Sequence, residues 1–139
     1  MNVVSLGSAA FYSAKLEGDL NLPKCAGTLS ECFRNANITS ANIPLVTKLN
    51  SEFHYNQKLK KVVTGEGLVE IAGTTFRGCI LLEVVVMKAT TPPTLSSESF
   101  VNSTISSIYV ADESVEAYKA ATNWSNFATK IKPLSEYEG

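Results

Sequence analysis

Five of the six phenylalanines, Phe11, Phe33, Phe53, Phe76 and Phe100, recur at spacings of 22, 20, 23 and 24 residues. A period in this range marks a solenoid, in which each unit is one short coil that cannot bury its own apolar face and is stable only when stacked on its neighbours. The likeness between units runs deeper than one residue. An aliphatic side chain stands four or five positions before each Phe (Leu6, Leu29, Leu49, Ile71, Leu95), and another stands five or six positions after it (Leu16, Ile38, Leu59, Leu82, Ile105). A short alternating segment closes each unit: Leu20-Asn21-Leu22, Ala41-Asn42-Ile43, Val62-Val63-Thr64, Val85-Val86-Met87 and Ile108-Tyr109-Val110.

Alternation at period two reads as a short strand with one face buried, so the five segments are expected to stack into a parallel ladder. At about 4.8 Å per strand, five coils make a rod of only roughly 25 Å, and its ends matter accordingly. The stretch around each Phe is rich in Ala, Ser, Asn and Glu, and is read as a turn or two of helix on the opposite side of the coil with the Phe as inward anchor. Small or medium residues follow three positions later, namely Ala14, Ala36, Asn56, Cys79 and Ser103, where a tight coil leaves little room. The residues just before the phenylalanines are Ala10, Cys32, Glu52, Thr75 and Ser99. The third unit departs furthest, with Glu52 and His54 flanking Phe53 and Thr64 closing the strand in place of an aliphatic residue.

The C-terminal segment reads as a cap. Asp112 is the expected N-cap of a helix over Glu113 to Thr122, with Val115, Tyr118 and Ala121 or Thr122 on one face. Asn123 or Ser125 starts a further turn that places Trp124, Phe127 and Ile131 at i, i+3 and i+7, and the only Trp is read as the core residue sealing the last coil. Pro133 ends the segment. The expected organisation is one domain, with repeats over 1–111, a cap over 112–134 and a fraying tail over 135–139.

These residues together resemble the BspA-like leucine-rich repeat proteins of bacterial cell surfaces. The most specific run is Phe76-Arg77-Gly78-Cys79, Leu82, Val85 and Met87, then Ala89-Thr90-Thr91-Pro92-Pro93-Thr94-Leu95, Ile108-Tyr109-Val110, Ser114-Val115-Glu116-Ala117-Tyr118-Lys119, and Asn123-Trp124 with Ile131. The resemblance implies an α/β fold: a right-handed leucine-rich-repeat solenoid of about five short coils, with a parallel strand ladder and a C-terminal helical cap. It also implies a secreted or cell-surface location, with any export signal outside this sequence; otherwise the chain is cytoplasmic. The first repeat opens without a recognisable N-terminal cap, which points to a fragment of a longer protein or to an edge that self-associates.

Composition narrows the function by exclusion. Twelve Lys plus Arg against thirteen Asp plus Glu leave a net charge of -1, without the basic footprint of a nucleic-acid binder. The longest apolar run, Cys79 to Met87 broken by Glu83, falls far short of the ~20 residues of a bilayer span, so no membrane insertion is expected. Cys25, Cys32 and Cys79 form no close pair and His54 is the only histidine, so neither a disulfide framework nor a metal site is expected, and the thiols are read as buried. No cofactor is implied.

Catalytic constellations are equally sparse. The tempting pair, His54 with Cys32, sits one residue after and one before its phenylalanine, and so is expected to face different ways. Asp19, Glu31, Glu52, Glu70 and Glu83 scatter over different repeats without forming a glycosidase dyad, and are read as solvated. Gly65-Glu66-Gly67 lacks the Lys-Ser or Lys-Thr of a phosphate loop and reads as a turn. Asn37-Ile38-Thr39, Asn102-Ser103-Thr104 and Asn123-Trp124-Ser125 fit the N-glycosylation pattern, with turn or cap roles for the asparagines preferred. The expected reading is a non-catalytic recognition or adhesion module for a protein or glycan, against an inert spacer that presents another domain. The outward column Asn21, Asn42, Val63, Val86 and Tyr109 carries that choice, with Asn42, Val63, Val86 and Tyr109 as the expected binding residues. A row of exposed valines suits a contact surface better than a spacer, although valine also suits any strand.

Overall fold

The computed structural model describes residues 3–12 and 16–139. Each coil runs from a strand on one side, through a corner, to a strand on the other side and back through a phenylalanine turn. In chain order the strands are β1 (Glu17–Asn21), β2 (Ala26–Ser30), β3 (Asn37–Ile43), β4 (Leu45–Asn50), β5 (Lys61–Thr64), β6 (Glu70–Ala72), β7 (Val84–Met87), β8 (Thr94–Leu95) and β9 (Ser107–Val110). A 3-10 turn (Asp112–Ser114), a short helix α1 (Val115–Ala120), a second 3-10 segment (Trp124–Lys130), strand β10 (Ile131–Pro133) and a last 3-10 turn (Leu134–Glu136) complete the chain. Among the described residues, the odd-numbered strands and β10 form one parallel sheet in the order β1-β3-β5-β7-β9-β10, and the even-numbered strands form a second in the order β2-β4-β6-β8.

The parallel ladder follows the alternating segments. Ala41, Val62, Val85 and Ile108 are buried partners along it, as are Ile43 with Thr64 and Met87 with Val110. The third unit keeps this register despite its deviant residues: Thr64 takes the buried position of Ile43, and its hydroxyl donates to the Val86 carbonyl at 3.0 Å. The stacked phenylalanines form the spine of the core. Successive rings from Phe11 to Phe100 lie 5.6, 6.1, 5.8 and 5.2 Å apart and within 11° of parallel.

Among the described residues, the helices expected on the opposite side of each coil are absent, and the second sheet stands there instead. Leu29, Leu49, Ile71 and Leu95, one coil apart in sequence, are its in-register buried residues. The phenylalanines lie in the turns between the two sheets, and these turns include left-handed residues: Glu31 (φ 54°), Asn35 (φ 59°), Ser51 (φ 55°), Tyr55 (φ 59°) and Asn102 (φ 60°). A right-handed helix cannot pass through such residues. N–H groups of these turns also point along the stack, Phe11 to the Cys32 carbonyl (2.9 Å), Phe53 to Thr75 (3.0 Å) and Phe76 to Ser99 (2.8 Å), so the turns are hydrogen-bonded coil to coil as well as through single-turn bonds such as Ala36 to Phe33 and Cys79 to Phe76 (both 3.2 Å).

The expected tightness after each Phe holds, and it has a polar component. Asn56 donates to the carbonyls of Phe33 and Phe53, Cys79 Sγ to Phe53 at 3.1 Å, and Ser103 to Phe100 at 2.7 Å; Ala36 is buried. Ala14 lies outside the described residues. Glu66 and Gly67 form a turn, as read from Gly65-Glu66-Gly67, and Gly65 is required beside it because a Cβ there would sit 1.8 Å from the Pro44 carbonyl oxygen. Two of the glycosylation-pattern asparagines, Asn102 and Asn123, occupy left-handed turn positions, and Asn37 begins β3.

The cap differs in detail from its expectation. Asp112 is not an N-cap: Ala111 holds that position, and the Asp112 carboxylate accepts the Ser135 N–H at 2.9 Å across the cap. The helix shortens to Val115–Ala120. Trp124 and Phe127 sit on a 3-10 segment broken at Phe127 (φ -113°), and Ile131 leaves helical geometry altogether to start β10, a further strand on the ladder beside β9. The cap is fastened to the 89–95 segment by four side-chain bonds: Ser114 to the Thr90 carbonyl (2.6 Å), Tyr118 to Ala89 (2.8 Å), Asn123 to Leu95 (2.6 Å) and Trp124 to Pro93 (2.7 Å). Trp124 is fully buried and meets Phe100 edge-on, as expected of a sealing residue.

Candidate functional site

Strand pairing fixes which side chains share the outer face of the six-stranded sheet. One column runs Asn21, Asn42, Val63, Val86, Tyr109 and Lys132, and a second runs Asp19, Ser40, Lys61, Val84 and Ser107. The first column contains Asn42, Val63, Val86 and Tyr109 as neighbours in register, the grouping expected from the repeat.

The face has two chemically distinct halves. On β1 and β3 it is polar and satisfied within itself: Asn42 Nδ2 donates to Asn21 Oδ1 at 2.9 Å, and Asp19 Oδ1 accepts from Ser40 (2.7 Å) and Thr39 (3.0 Å). The Ser40 and Thr39 hydroxyls hold the Asp19 carboxyl below the ordinary carboxylate range. On β5, β7 and β9 the face is apolar and flanked by cations. Val63 and Tyr109 are half-buried, and Lys132 donates to Ser107 Oγ at 2.9 Å while lying 6.0 Å above the Tyr109 ring.

Val86 overturns the expectation of an exposed valine row, since it is 0% exposed although it lies on the outer face. The tail expected to fray covers it. Tyr137 packs against Tyr109 with ring centroids 5.0 Å apart, Lys61 Nζ lies 5.9 Å from the Tyr137 ring centroid, and the same ammonium donates to the Gly139 carbonyl at 3.3 Å. Between Tyr109 on β9 and Lys61 on β5 lies β7, so the segment spans the outer face of β7, where Val86 is buried and Val84 half-buried. The sequence hint was an aromatic residue between carboxylates, Glu136-Tyr137-Glu138, in an otherwise small and polar tail.

The turn edge carries the nucleophile and base candidates and keeps them apart. Cys32 Sγ donates to the Gly7 carbonyl at 3.1 Å, inside the coil, whereas His54 Nδ1 lies 2.6 Å from the Thr74 hydroxyl on the next coil. Burial pushes the Cys32 thiol up, and the nearby Glu52 adds to the effect, so Cys32 is held as a thiol rather than a thiolate. Burial also lowers His54, which sits between the charges of Arg34 and Arg77. All three cysteines are free and buried, and burial pushes Cys79 up to about 12.

Glu52 corrects the reading that the scattered carboxylates are solvated. It is 0% exposed; Oε2 accepts the Cys32 N–H at 3.3 Å, and Oε1 has no partner. Desolvation raises it from 4.5 to about 7, against the lowering effect of its hydrogen bonds to Cys32. The Glu lies in the internal column before the phenylalanines, where Thr75 similarly accepts the Ser51 N–H at 3.1 Å, so its position is that of a turn-stapling residue. Among the described residues, no cluster of His, Cys, Asp and Glu could hold a metal ion.

No curated protein matches the chain. The family model of the BspA type Leucine rich repeat region does match, in six copies across residues 4–128, which is most of the sequence and includes every phenylalanine coil. With two in-register parallel ladders, a phenylalanine spine and this match, the chain belongs to the BspA-type leucine-rich repeat family.

Proposed function

We propose that the chain is a non-catalytic recognition or adhesion module that engages a protein or glycan through the outer face of the six-stranded sheet. Its family is a repeat module typical of surface proteins and generally non-catalytic, and no helix among the described residues is long and apolar enough to cross a membrane. A cell-surface location is part of the proposal. One observation carries it: the column Asn21, Asn42, Val63, Val86, Tyr109 repeats one outward position in register over five strands, so contacts that are small singly sum into an extended patch, of which Val86 is reached only when the tail over it is displaced. Tyr109 supplies both ring area and a hydroxyl, a pairing that suits a sugar or a peptide. In the first coil Val4 is 64% and Phe11 38% exposed, and these side chains would serve self-association of copies as a separate contact.

A glycan and protein-ligand array tests the proposal. Binding should weaken on Tyr109→Ala with the unfolding midpoint unchanged, and should be untouched by His54→Ala. A uniformly negative array from a normally folded chain would favour the alternative of a structural spacer. Turnover lost on His54→Ala would overturn the non-catalytic reading.

A further inference from the structure

The two halves of the strand face are unequal as binding surfaces. In the polar half the side chains already satisfy one another, so a ligand would exchange existing hydrogen bonds for new ones at little net gain. In the apolar half, a floor of Val63 and Val86, an aromatic wall at Tyr109 and the ammonium groups of Lys61 and Lys132 form a shallow slot that residues 135–139 occupy. The manner of occupancy describes the ligand. Tyr137 supplies a ring to Tyr109 and to the Lys61 ammonium, the backbone carbonyl of Gly139 meets Lys61, and Glu136 and Glu138 flank the tyrosine in sequence on a face bordered by two lysines. The hold is light, since the Lys61 bond is exposed and four of the five residues, Ser135, Glu136, Glu138 and Gly139, are exposed as well. By contrast, the surface beneath is completely covered at Val86.

We infer that this half of the face is a slot for an extended peptide bearing an aromatic side chain flanked by carboxylates, and that residues 135–139 are its resident, displaceable occupant; the inference rests on the strand-face reading above and specifies its class of partner. The ring fills the apolar floor, and the flanking carboxylates choose the lysine-bordered slot over other apolar surface. A tethered segment competes at an effective concentration in the millimolar range, so an outside peptide must outbid it and binds with correspondingly reduced apparent affinity.

The probe is a fluorescently labelled peptide of residues 133–139, followed by anisotropy against three proteins: the full chain, the full chain with Tyr137→Ala, and a chain ending at Leu134. Both opened proteins should bind saturably and roughly tenfold or more tightly than the full chain, as expected when the intramolecular competitor is removed. A probe with Ala in place of the tyrosine should lose binding to all three. Tyr109→Ala added to the Tyr137→Ala chain should abolish it. The Tyr137→Ala chain keeps the Ser135 bond to Asp112, so it decides the matter should the shortened chain fold poorly. Equal binding by opened and full chains would overturn the resident-occupant inference. No binding by a folded Tyr137→Ala chain would overturn the slot while leaving the recognition reading to the array.

Discussion

The two ends of the phenylalanine stack are finished in opposite ways. At the C-terminal end, Phe100 meets Trp124 and Phe127 edge-on, Tyr118 packs on Trp124, and the Trp, Tyr, Ser114 and Asn123 polar atoms all reach carbonyls of the 89–95 segment. β10 adds a further rung beyond β9. At the N-terminal end, Phe11 keeps 38% of its surface exposed, β1 and β2 are paired on one side only among the described residues, and a cavity of about 200 Å³ opens between Leu6, Phe11, Leu16, Leu20, Leu22 and Phe33. Among the described residues, the buried side-chain polar atoms without a partner, Arg34 Nε, Glu52 Oε1 and Arg77 Nε, all lie on the coils between the two ends. The contrast teaches that the repeat itself does not close a solenoid. Closure comes from residues outside the repeat pattern, and their aromatic rings and paired polar groups end the stack without leaving buried donors orphaned.

Removing the finished end should have the largest effect. A chain ending at Ala111 would uncover Ile108 and Val110 on an open edge, and such edges associate; aggregation is expected by light scattering. A soluble monomer with an unchanged unfolding midpoint would show that the cap closes nothing. Next in size are single truncations along the spine. Trp124→Ala and Phe33→Ala should each cost about 3–5 kcal/mol in denaturant unfolding, whereas Phe11→Ala should cost less, about 1–2 kcal/mol, because 38% of Phe11 is already exposed. Equal losses at Phe11 and Phe33 would erase the distinction between the ends.

The buried carboxylate gives a subtler, pH-dependent difference. Glu52 binds its proton more tightly folded, at about 7, than at its ordinary 4.5, so its contribution to stability is complete below the lower value and is lost as pH rises through the upper one. His54, lowered by burial, works in the opposite sense: the unfolded chain takes up its proton first, so its contribution fades as pH falls below 6.5. Comparing the wild-type chain with Glu52→Gln isolates the carboxylate. The substitution should be close to neutral at pH 4 and stabilising at pH 8. A difference independent of pH would mean that Glu52 is solvated.

Much of this fold is written in the repeat, and the unread parts share a cause. The phenylalanine period and the strand triplets specify the ladder because register along a coil leaves only one outward position per triplet, and Asn42, Val63, Val86 and Tyr109 align as a consequence. The second sheet is hard to read because its strands are as short as Thr94–Leu95 and carry residues such as Gly27 that suit no regular element. The positive-φ turns look helical in composition and are not. Ile131 keeps a helical spacing from Trp124, yet an open ladder edge beside it offers backbone partners that a helix face cannot. At the site, the column was legible and its cover was not, since the docking of Tyr137 on Tyr109 depends on a surface that exists only after the coils have stacked. Glu52 was misread for a similar reason: a charged residue is rarely buried, and only the need of the Cys32 N–H for an acceptor brings it inside.

Residue-resolved native-state hydrogen exchange tests the contrast between the ends most directly, because each rung of both ladders reports its own opening. Protection should be greatest in β7, β9 and β10, next to the cap, and should fall coil by coil toward β3 and β1, with the N–H groups of the Phe11 turn exchanging fastest of all. Uniform protection from β1 to β9, or the reverse gradient, would contradict a stack closed at one end by its aromatic cap.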